Sequence, residues 1–314
     1  MSSSSTRQQQ VQEFGCAIAD YLFIHRSKLD GFHWDIKPAC VEKAKQQQLL
    51  TSMSVKGGFA ETMQLRRDVA ERARDIYKRG QDSERQTRLA DLAQFVIVDW
   101  GGLKSNKRET IEEYAMRFTG SDLEYSFEEI QCAEDLRAAV PSARRRGLFS
   151  FAGIASWSKW LNFVWNDWAL IYDARIAFAL DAIHFIRNVN APVFPVPVGR
   201  SPKLANFDAQ GTAAFGWLAN HANGDFSASG IGARLKDAMM PERKTYCYYL
   251  EVMAAAHHSL WPSPETTPLV HTEMLLFKLS IENVADDFAR ELLTRLTPPA
   301  RTLQEADRTT ETVP

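Results

Sequence analysis

Apolar residues recur at helical spacing along most of the chain. Over 173–187, Ile176, Leu180 and Ile183 fall at i, i+4 and i+7 and form one stripe, which ends at Arg187. Residues 59–79 form a long, charged, amphipathic run that a glycine ends. The same spacing predicts further helices over 14–24, 85–99, 108–118, 126–140, 157–166, 245–258 and 269–294. The pattern therefore predicts a mainly α-helical fold.

The helical pattern stops over 189–232. This region contains the run APVFPVPVGRSP and then five glycines, Gly211, Gly216, Gly224, Gly230 and Gly232. Proline and glycine interrupt helices, and a long loop in a compact domain is often functional. We predict a loop-rich insertion here, with a short strand or two. A separate ambiguity concerns FVIVDW (95–100), which fits either the end of a helix or a short strand.

Polar sequences occupy both ends of the chain. Residues 1–10 and 298–314 have the composition of disordered tails, which leaves 11–297 as one helical domain. The first ten residues lack the apolar core of a signal peptide. The sequence contains no run of about 18 apolar residues, which is the length that a membrane-spanning helix needs. We therefore expect no membrane association and a cytoplasmic location.

Composition and cysteine spacing restrict which classes of binding site the chain can form. The chain is 45% hydrophobic and 24% charged, an ordinary globular balance, with a net charge of −2. Binding to DNA would therefore need a local basic face. Four cysteines, Cys16, Cys40, Cys132 and Cys247, stand far apart without a CxxC pair. That spacing fits neither a zinc site nor an iron–sulfur cluster, so we expect buried thiols and no metal.

The segment 147–187 contains the most informative chemistry. Gly153 and Ser156 precede a helical run and can cap it, which puts Lys159 in the first turn of a short aromatic helix. Asp173 opens the next helix, where a carboxylate is stabilised by the helix N-terminus. Consecutive helices joined by a short connection pack antiparallel or crossed. The spacing thus permits a contact between Lys159 and Asp173.

A lysine beside a carboxylate can support nucleophilic chemistry. The amine must be neutral to attack, which burial among aromatic side chains favours. The carboxylate can move the lysine proton, and it can balance a cationic sugar in a transition state. Each residue also has a simpler interpretation. Lys159 could be a solvated surface residue, Asp173 a helix cap, and the aromatic stripe part of the core.

The run GIASWSKWLNFVWNDWALIYDARIAFAL (153–180) resembles the active-site region of the helix–hairpin–helix DNA glycosylase superfamily. It is most similar to bacterial proteins with an 8-oxoguanine-glycosylase-like fold. In that family a hairpin is followed by a lysine nucleophile and then by an aspartate at the next helix start. These features match 153–158, Lys159 and Asp173. The segments VIVDWGG (96–102) and LVHTEMLLFKLS (269–280) resemble the same proteins.

The resemblance implies a two-lobed helical DNA N-glycosylase that removes a damaged or modified base. Lys159 would attack the anomeric carbon, and Asp173 would assist. A Schiff base formed in this way allows strand-cleaving lyase activity. No metal or organic cofactor is implied, and the partner is double-stranded DNA in a bacterial cytoplasm. Some relatives act in defence against phage with modified bases, and others repair oxidised bases, so both roles stay open.

The DNA-contacting residues are predicted from charge and from the resemblance. Basic side chains contact phosphates, and an extruded base needs an aromatic or apolar pocket. The predicted phosphate contacts are Arg144, Arg145, Arg146, Lys104 and Lys107. The predicted hairpin contacts are Gly153, Ser156 and Ser158. The predicted pocket walls are Trp157, Trp100 and Tyr172.

Two other functions are compatible with the sequence. A non-catalytic helical module could bind DNA or protein, with Lys159 as a phosphate contact. A lysine-dependent enzyme could act on a small carbonyl compound, although no phosphate or carboxylate pocket motif is evident. His257 and His258 are adjacent on a helical pattern and point apart, so we expect a core or surface role rather than metal binding.

Overall fold

A computed structural model describes residues 3–119, 151–197 and 204–297, except for short gaps at 30, 32, 36–37, 50–55, 80–81, 105, 205 and 222–226. Within these residues the chain is mainly α-helical, as predicted. The helices are α1 (Ser3–Phe23), α2 (Pro38–Gln46), α3 (Phe59–Arg79), α4 (Asp82–Gln94), α5 (Arg108–Thr119), α6 (Ile154–Val164), α7 (Ala174–Arg187), α8 (Ala209–His221), α9 (Ala228–Ala238), α10 (Glu242–Leu260), α11 (Val270–Leu279) and α12 (Ala285–Leu296). Two short strands, β1 (His33–Asp35) and β2 (Lys56–Gly58), pair antiparallel. In the described part of the chain no helix is long and apolar enough to cross a membrane.

Helix α7 lies at the centre of the core. Apolar residues lie on every side of it, with Asp181 and His184 as buried polar exceptions, and every residue from Ile176 to Phe185 is buried. A helix that is apolar all round must be covered on all sides, and α1, α8, α11 and α12 pack against it. The single stripe predicted from the sequence therefore understates how much of α7 is buried.

The residues after α7 also belong to the core. Asp181 accepts a hydrogen bond from the backbone N–H of Phe194 at 2.9 Å, and His184 bonds the carbonyl of Ala191 at 2.8 Å. Both side chains are buried, and burial raises the pKa of Asp181 while lowering that of His184 to about 4. These bonds satisfy polar backbone groups that the core would otherwise leave unpaired. The first part of 189–232 is thus a packed segment.

The predicted loop-rich insertion at 189–232 is wrong over much of its length, because α8 and α9 occupy it. Several of its glycines lie inside these helices. Gly216 faces Phe185, and a Cβ there would come within 3.0 Å of the Phe185 ring. A residue without a side chain therefore lets α8 approach α7 closely. Gly216 therefore serves helix packing and does not end α8.

The predicted amino-terminal tail is also largely helical, since α1 begins at Ser3. Arg7 within it forms an ion pair with Glu251 of α10 at 3.1 Å. Gly15 brings the two helices together, because a Cβ there would lie 2.5 Å from Ala255 Cβ and 2.8 Å from Ala256 N. The predicted carboxy-terminal tail and the predicted helix over 126–140 lie outside the described residues.

Residues 95–100 form a helical continuation of α4, which favours the helix over the strand at this position. The turn Phe95–Trp100 is wider than an α-helical turn. The turn is identified by the hydrogen bond from Gly101 N–H to the carbonyl of Val96, five residues back, at 2.9 Å. This π-helical turn places Gly101 next to α6.

Gly15→Ala should destabilise the protein by about 1–3 kcal/mol, because the added methyl group overpacks the α1–α10 contact. Gly232→Ala is the matched control, since Gly232 is also helical and a Cβ there meets nothing within 4 Å. The control should be neutral or stabilising by up to about 1 kcal/mol from helix propensity. Urea unfolding midpoints measure both. Equal midpoints would show that α1 shifts to accommodate the methyl group.

Candidate active site

Lys159 lies in the middle of α6, and its side chain is nearly buried. Its Nζ donates to Asp173 Oδ2 at 3.4 Å and to the carbonyl of Ala155 at 3.3 Å. The side chain of Lys159 is 7% exposed and that of Asp173 is 18% exposed. The contact that the helix spacing permitted is therefore present. The interpretation of Lys159 as a solvated surface residue is wrong.

Asp173 is the N-cap of α7, as predicted, and its two oxygens have different partners. Oδ1 accepts the backbone N–H groups of Arg175 at 3.0 Å and Ile176 at 3.2 Å. Oδ2 faces Lys159. The capping bonds satisfy two donors of the helix N-terminus and fix the plane of the carboxylate. Asp173 is thus both the helix cap and the partner of the lysine.

Residues 169–172, just before Asp173, lie outside any helix, are buried and are held by side chains. Four consecutive backbone carbonyls, those of residues 169–172, each accept a bond from a side chain. The donors are Asn162 (2.6 Å to Ala169), Tyr246 (2.8 Å to Leu170), Tyr249 (2.9 Å to Ile171) and Ser158 (3.4 Å to Tyr172). Ser158 Oγ also accepts the N–H of Tyr172 at 3.0 Å. The position of Asp173 is therefore fixed from both α6 and α10.

Gly101 forms part of the wall around Lys159. A Cβ at this position would lie 2.8 Å from Lys159 Cδ and 2.7 Å from the carbonyl of Ile97. Trp100 next to it is half-buried and packs edge-on against Phe163 of α6, with 4.7 Å between ring centroids. The π-helical turn thus encloses the aliphatic stem of the lysine.

A second ion pair, absent from the sequence predictions, lies in the same part of the core. Arg66 Nη1 of α3 and Glu273 Oε2 of α11 are 3.4 Å apart, with both side chains almost fully buried. Burial is the largest cause that raises the pKa of Glu273 to about 7, and Asp173 raises it further. Arg66 and Lys159 act in the opposite direction. The sequence feature that could have indicated this pair is the single Glu within the mostly apolar run LVHTEMLLFKLS.

The predicted hairpin at 153–158 has a different structure. Phe151–Gly153 is a short 3-10 turn, and α6 begins at Ile154, earlier than the predicted start at 157. Gly153 is therefore the N-cap of α6, Ser156 lies inside the helix, and Lys159 falls in the second turn rather than the first. Gly153 has φ −106° and ψ 6°, so the chain passes from the 3-10 turn directly into the helix. The segment that precedes this turn lies outside the described residues.

Most of the predicted hairpin contacts and pocket walls are core residues. Ser158 is fully buried with its hydroxyl bonded to Tyr172, so it has no surface for DNA. Ser156 is buried and donates to Asn106 Oδ1 at 3.0 Å. Trp157 and Tyr172 are buried as well, and Trp157 packs edge-on against Tyr246. In this conformation Trp100 is the half-buried member of the predicted wall set.

A small pocket begins at Ala174, the residue that follows Asp173 and the first residue of α7. Its volume is about 10 Å³, room for roughly one water molecule, and it opens to solvent. Its wall includes the rings of Phe178 and Phe207 and the polar side chains of Asp208 and Gln210. The sequence predictions did not include this pocket.

The predicted phosphate contacts are described in part. Lys104 and Lys107 are exposed and follow the π-helical turn that packs on α6. The cluster Arg144, Arg145 and Arg146 lies outside the described residues. Lys104 and Lys107 are thus on the surface, where phosphate groups could reach them.

Among the described residues, no group of three or more His, Cys, Asp and Glu side chains is placed to hold a metal ion. His257 is buried and bonds Thr272 Oγ1 at 2.8 Å, while His258 is exposed. Cys16, Cys40 and Cys247 form no disulfide bond. Cys132 lies outside the described residues.

Comparison with known proteins gives no match to a protein-family model, to a curated protein or to a solved structure.

Proposed function

We propose that the protein is a DNA N-glycosylase whose nucleophile is Lys159 and whose assisting carboxylate is Asp173. The observation that supports this most is the buried contact between Lys159 Nζ and Asp173 Oδ2 at 3.4 Å. Burial of an isolated charge is unfavourable, and nothing in the packing of a short aromatic helix requires a lysine there. The resemblance of 153–180 to helix–hairpin–helix glycosylases gives the pair its proposed chemistry, and the two-lobed fold belongs to the same proposal.

The proposed reaction begins with proton transfer and attack. Lys159 gives its proton to Asp173, and the neutral Nζ forms a bond to C1′ of the nucleotide. The bond between C1′ and the base breaks, and the base leaves with the bonding electrons and takes up the proton that Asp173 received. Asp173 is then ionised again and balances the positive charge on the sugar and on the new C1′–Nζ linkage. Opening of the sugar ring gives a Schiff base, from which the 3′-phosphate can be eliminated.

The site must open before DNA can reach the lysine. In the described conformation Lys159 is 6% exposed, and Trp157 and Tyr172 are buried. The small pocket beside Ala174 starts one residue from Asp173 and has aromatic walls, and it would have to widen to hold an extruded base. Closure of a site around its substrate is common and excludes water from the reaction. We propose that this pocket is where the base subsite forms.

The excised base can be identified directly. Purified protein is incubated with genomic DNAs that carry different base modifications, and the released base is identified by mass spectrometry. Release from phage DNA with modified bases supports a role in defence. Release of an oxidised base from damaged DNA supports a role in repair.

Lys159→Gln should abolish the covalent adduct that borohydride traps with DNA, because Gln has no nucleophilic amine. Lys278→Gln is the matched control, since Lys278 pairs with Glu282 on an exposed face. The control should trap DNA like the original protein. If the original protein binds DNA but forms no adduct, a non-catalytic DNA-binding module becomes the better interpretation.

Asp173→Asn and Asp173→Ala should separate catalysis from capping. Asn keeps the N-cap and removes the charge, so base release should fall by roughly 10²–10³-fold, and any loss of stability reflects only the Lys159 ammonium left without its carboxylate. Ala removes both and should lower the free energy of unfolding by about 1 kcal/mol in addition. Single-turnover base release and urea unfolding measure the two effects. Full activity in Asp173→Asn would remove the carboxylate from the mechanism.

Replacement of Lys104 and Lys107 by Ala should weaken DNA binding uniformly across sequences. Each lost phosphate contact should reduce the slope of log K against log salt by about 0.9. The double variant should therefore lose roughly two units of slope, and base preference should stay the same. Lys244→Ala on the exposed start of α10 is the control. An unchanged slope in the double variant would place DNA on another face.

A further inference from the structure

The face of α6 that carries Lys159 is covered by the chain that follows α4. Three side chains fall at i, i+3 and i+7 on this face, and they are Ser156, Lys159 and Phe163. Ser156 donates to Asn106 Oδ1 at 3.0 Å, and the Phe163 ring packs on Trp100. Gly101 lies against the stem of Lys159, since an added Cβ would come within 2.8 Å of Cδ. One short segment therefore contacts α6 at the lysine and on both sides of it.

This segment, which we call the cover loop, comprises residues 101–104, 106 and 107. Its first residues are bonded to the π-helical turn, because the N–H groups of Gly101, Gly102 and Leu103 donate to the carbonyls of residues 96–98 at 2.9–3.1 Å. Farther along, the contact with α6 is the side-chain bond between Ser156 and Asn106. Gly102 has φ +72°, a left-handed conformation that glycine adopts readily and other residues rarely adopt. The closed position of the loop thus depends on a glycine and on one side-chain bond to α6.

The cover loop is also the least buried element around the lysine. Gly102, Lys104 and Lys107 are exposed, whereas every residue of α6 from 156 to 164 is buried. On the opposite side, residues 169–172 are held by side-chain bonds to four consecutive carbonyls. Local opening occurs where few apolar contacts and few buried hydrogen bonds must break. The loop is therefore the part of this wall that can move at the lowest cost.

We propose that the cover loop opens to admit DNA to Lys159. In the closed position the lysine is 6% exposed, and opening breaks the Ser156–Asn106 bond and moves Gly101 off the lysine stem. The loop itself carries Lys104 and Lys107, so phosphate binding acts directly on the element that moves. The inference rests on the proposed function, because it takes Lys159 as the group that DNA must reach.

Acetylation of Lys159 in the full chain, read by peptide mass spectrometry, tests the proposal without DNA. Ser156→Ala removes the bond to Asn106 and keeps a small helix-forming residue in α6, so the fold should be retained. The acetylation rate of Lys159 should rise about fivefold, the factor that corresponds to a hydrogen bond of about 1 kcal/mol. The exposed Lys278 in the same sample serves as the internal reference.

Ser280→Ala is the matched control for this experiment. Ser280 is also a buried helical serine, and its hydroxyl donates to the carbonyl of Phe277 at 2.7 Å, away from the cover loop. The rate at Lys159 should stay the same in this variant. An unchanged rate in Ser156→Ala, or an equal rise in Ser280→Ala, would overturn the proposal.

A double variant tests whether Ser156 and Asn106 act through one shared bond. Asn106→Ala alone should also raise the acetylation rate of Lys159, and the addition of Ser156→Ala should then change it little. Residues that share one interaction are not additive, whereas independent effects multiply. Multiplied rates in the double variant would contradict the assigned bond.

Gly102 gives a test that leaves this bond in place. Gly102→Ala introduces a side chain that disfavours φ +72° but meets nothing within 4 Å, so it should disfavour the closed loop without a clash. Gly102→Asn should have a smaller effect, because Asn adopts the left-handed region more readily. The acetylation rate of Lys159 should therefore rise from Gly to Asn to Ala. Equal rates in all three proteins would show that the loop does not limit access to the lysine.

Borohydride trapping on a duplex with an abasic site separates this inference from the proposed function. When only the open state binds, the apparent affinity is reduced by the fraction of open protein. Ser156→Ala should therefore lower the duplex concentration at half-maximal trapping by about fivefold and leave the trapping rate at saturation unchanged. A protein that traps, with the same half-maximal concentration in the variant, keeps the proposed function and loses the inference. A protein that never traps loses the proposed function, and the acetylation rates still decide whether the loop controls access to Lys159.

Discussion

A buried extended segment must find hydrogen-bond partners for its backbone, and this requirement organises the whole site. Residues 169–172 lie in the core outside any helix, so neighbouring helices cannot supply backbone donors to them. Side chains of α6 and α10 supply the donors instead, one to each of the four carbonyls. Unpaired backbone groups at this depth are rare and costly. The same bonds that satisfy the segment also hold Asp173 opposite Lys159.

Each charged side chain of the site has a charged partner. Removing one partner alone would cost free energy. Asp173 is held by two backbone N–H groups and by Lys159, and Glu273 is held by Arg66. Breaking such a pair on one side leaves an uncompensated buried charge. The ion pairs therefore restrict the local structure more than they stabilise the fold. The position of the Lys159 ammonium is consequently determined by Asp173, whose carboxylate is fixed by the cap of α7.

Local sequence determined the parts of the site that depend on neighbouring residues. The cap at Asp173 follows from a carboxylate before an apolar run, and the spacing of two consecutive helices permits the contact with Lys159. The Arg66–Glu273 pair joins positions 207 residues apart in the chain, and no periodicity reports such a contact. The glycines of α8 and α9 led to the prediction of a loop, because glycine occurs both in loops and at close helix contacts and the sequence alone does not distinguish the two. The neighbouring ring of Phe185 decides the role of Gly216, and that ring comes from another helix.

The π-helical turn Phe95–Trp100 limits how the length of the chain can change near the site. A π-helical turn accommodates one residue more than an α-helical turn over the same path. A further inserted residue has no such place, so it would rotate everything that follows by about 100°. Gly101 would then turn away from the stem of Lys159, and a bulkier neighbour would take its place. Deletion of one residue would leave an ordinary α-helical turn over the same path, so this stretch should tolerate a one-residue deletion better than an insertion.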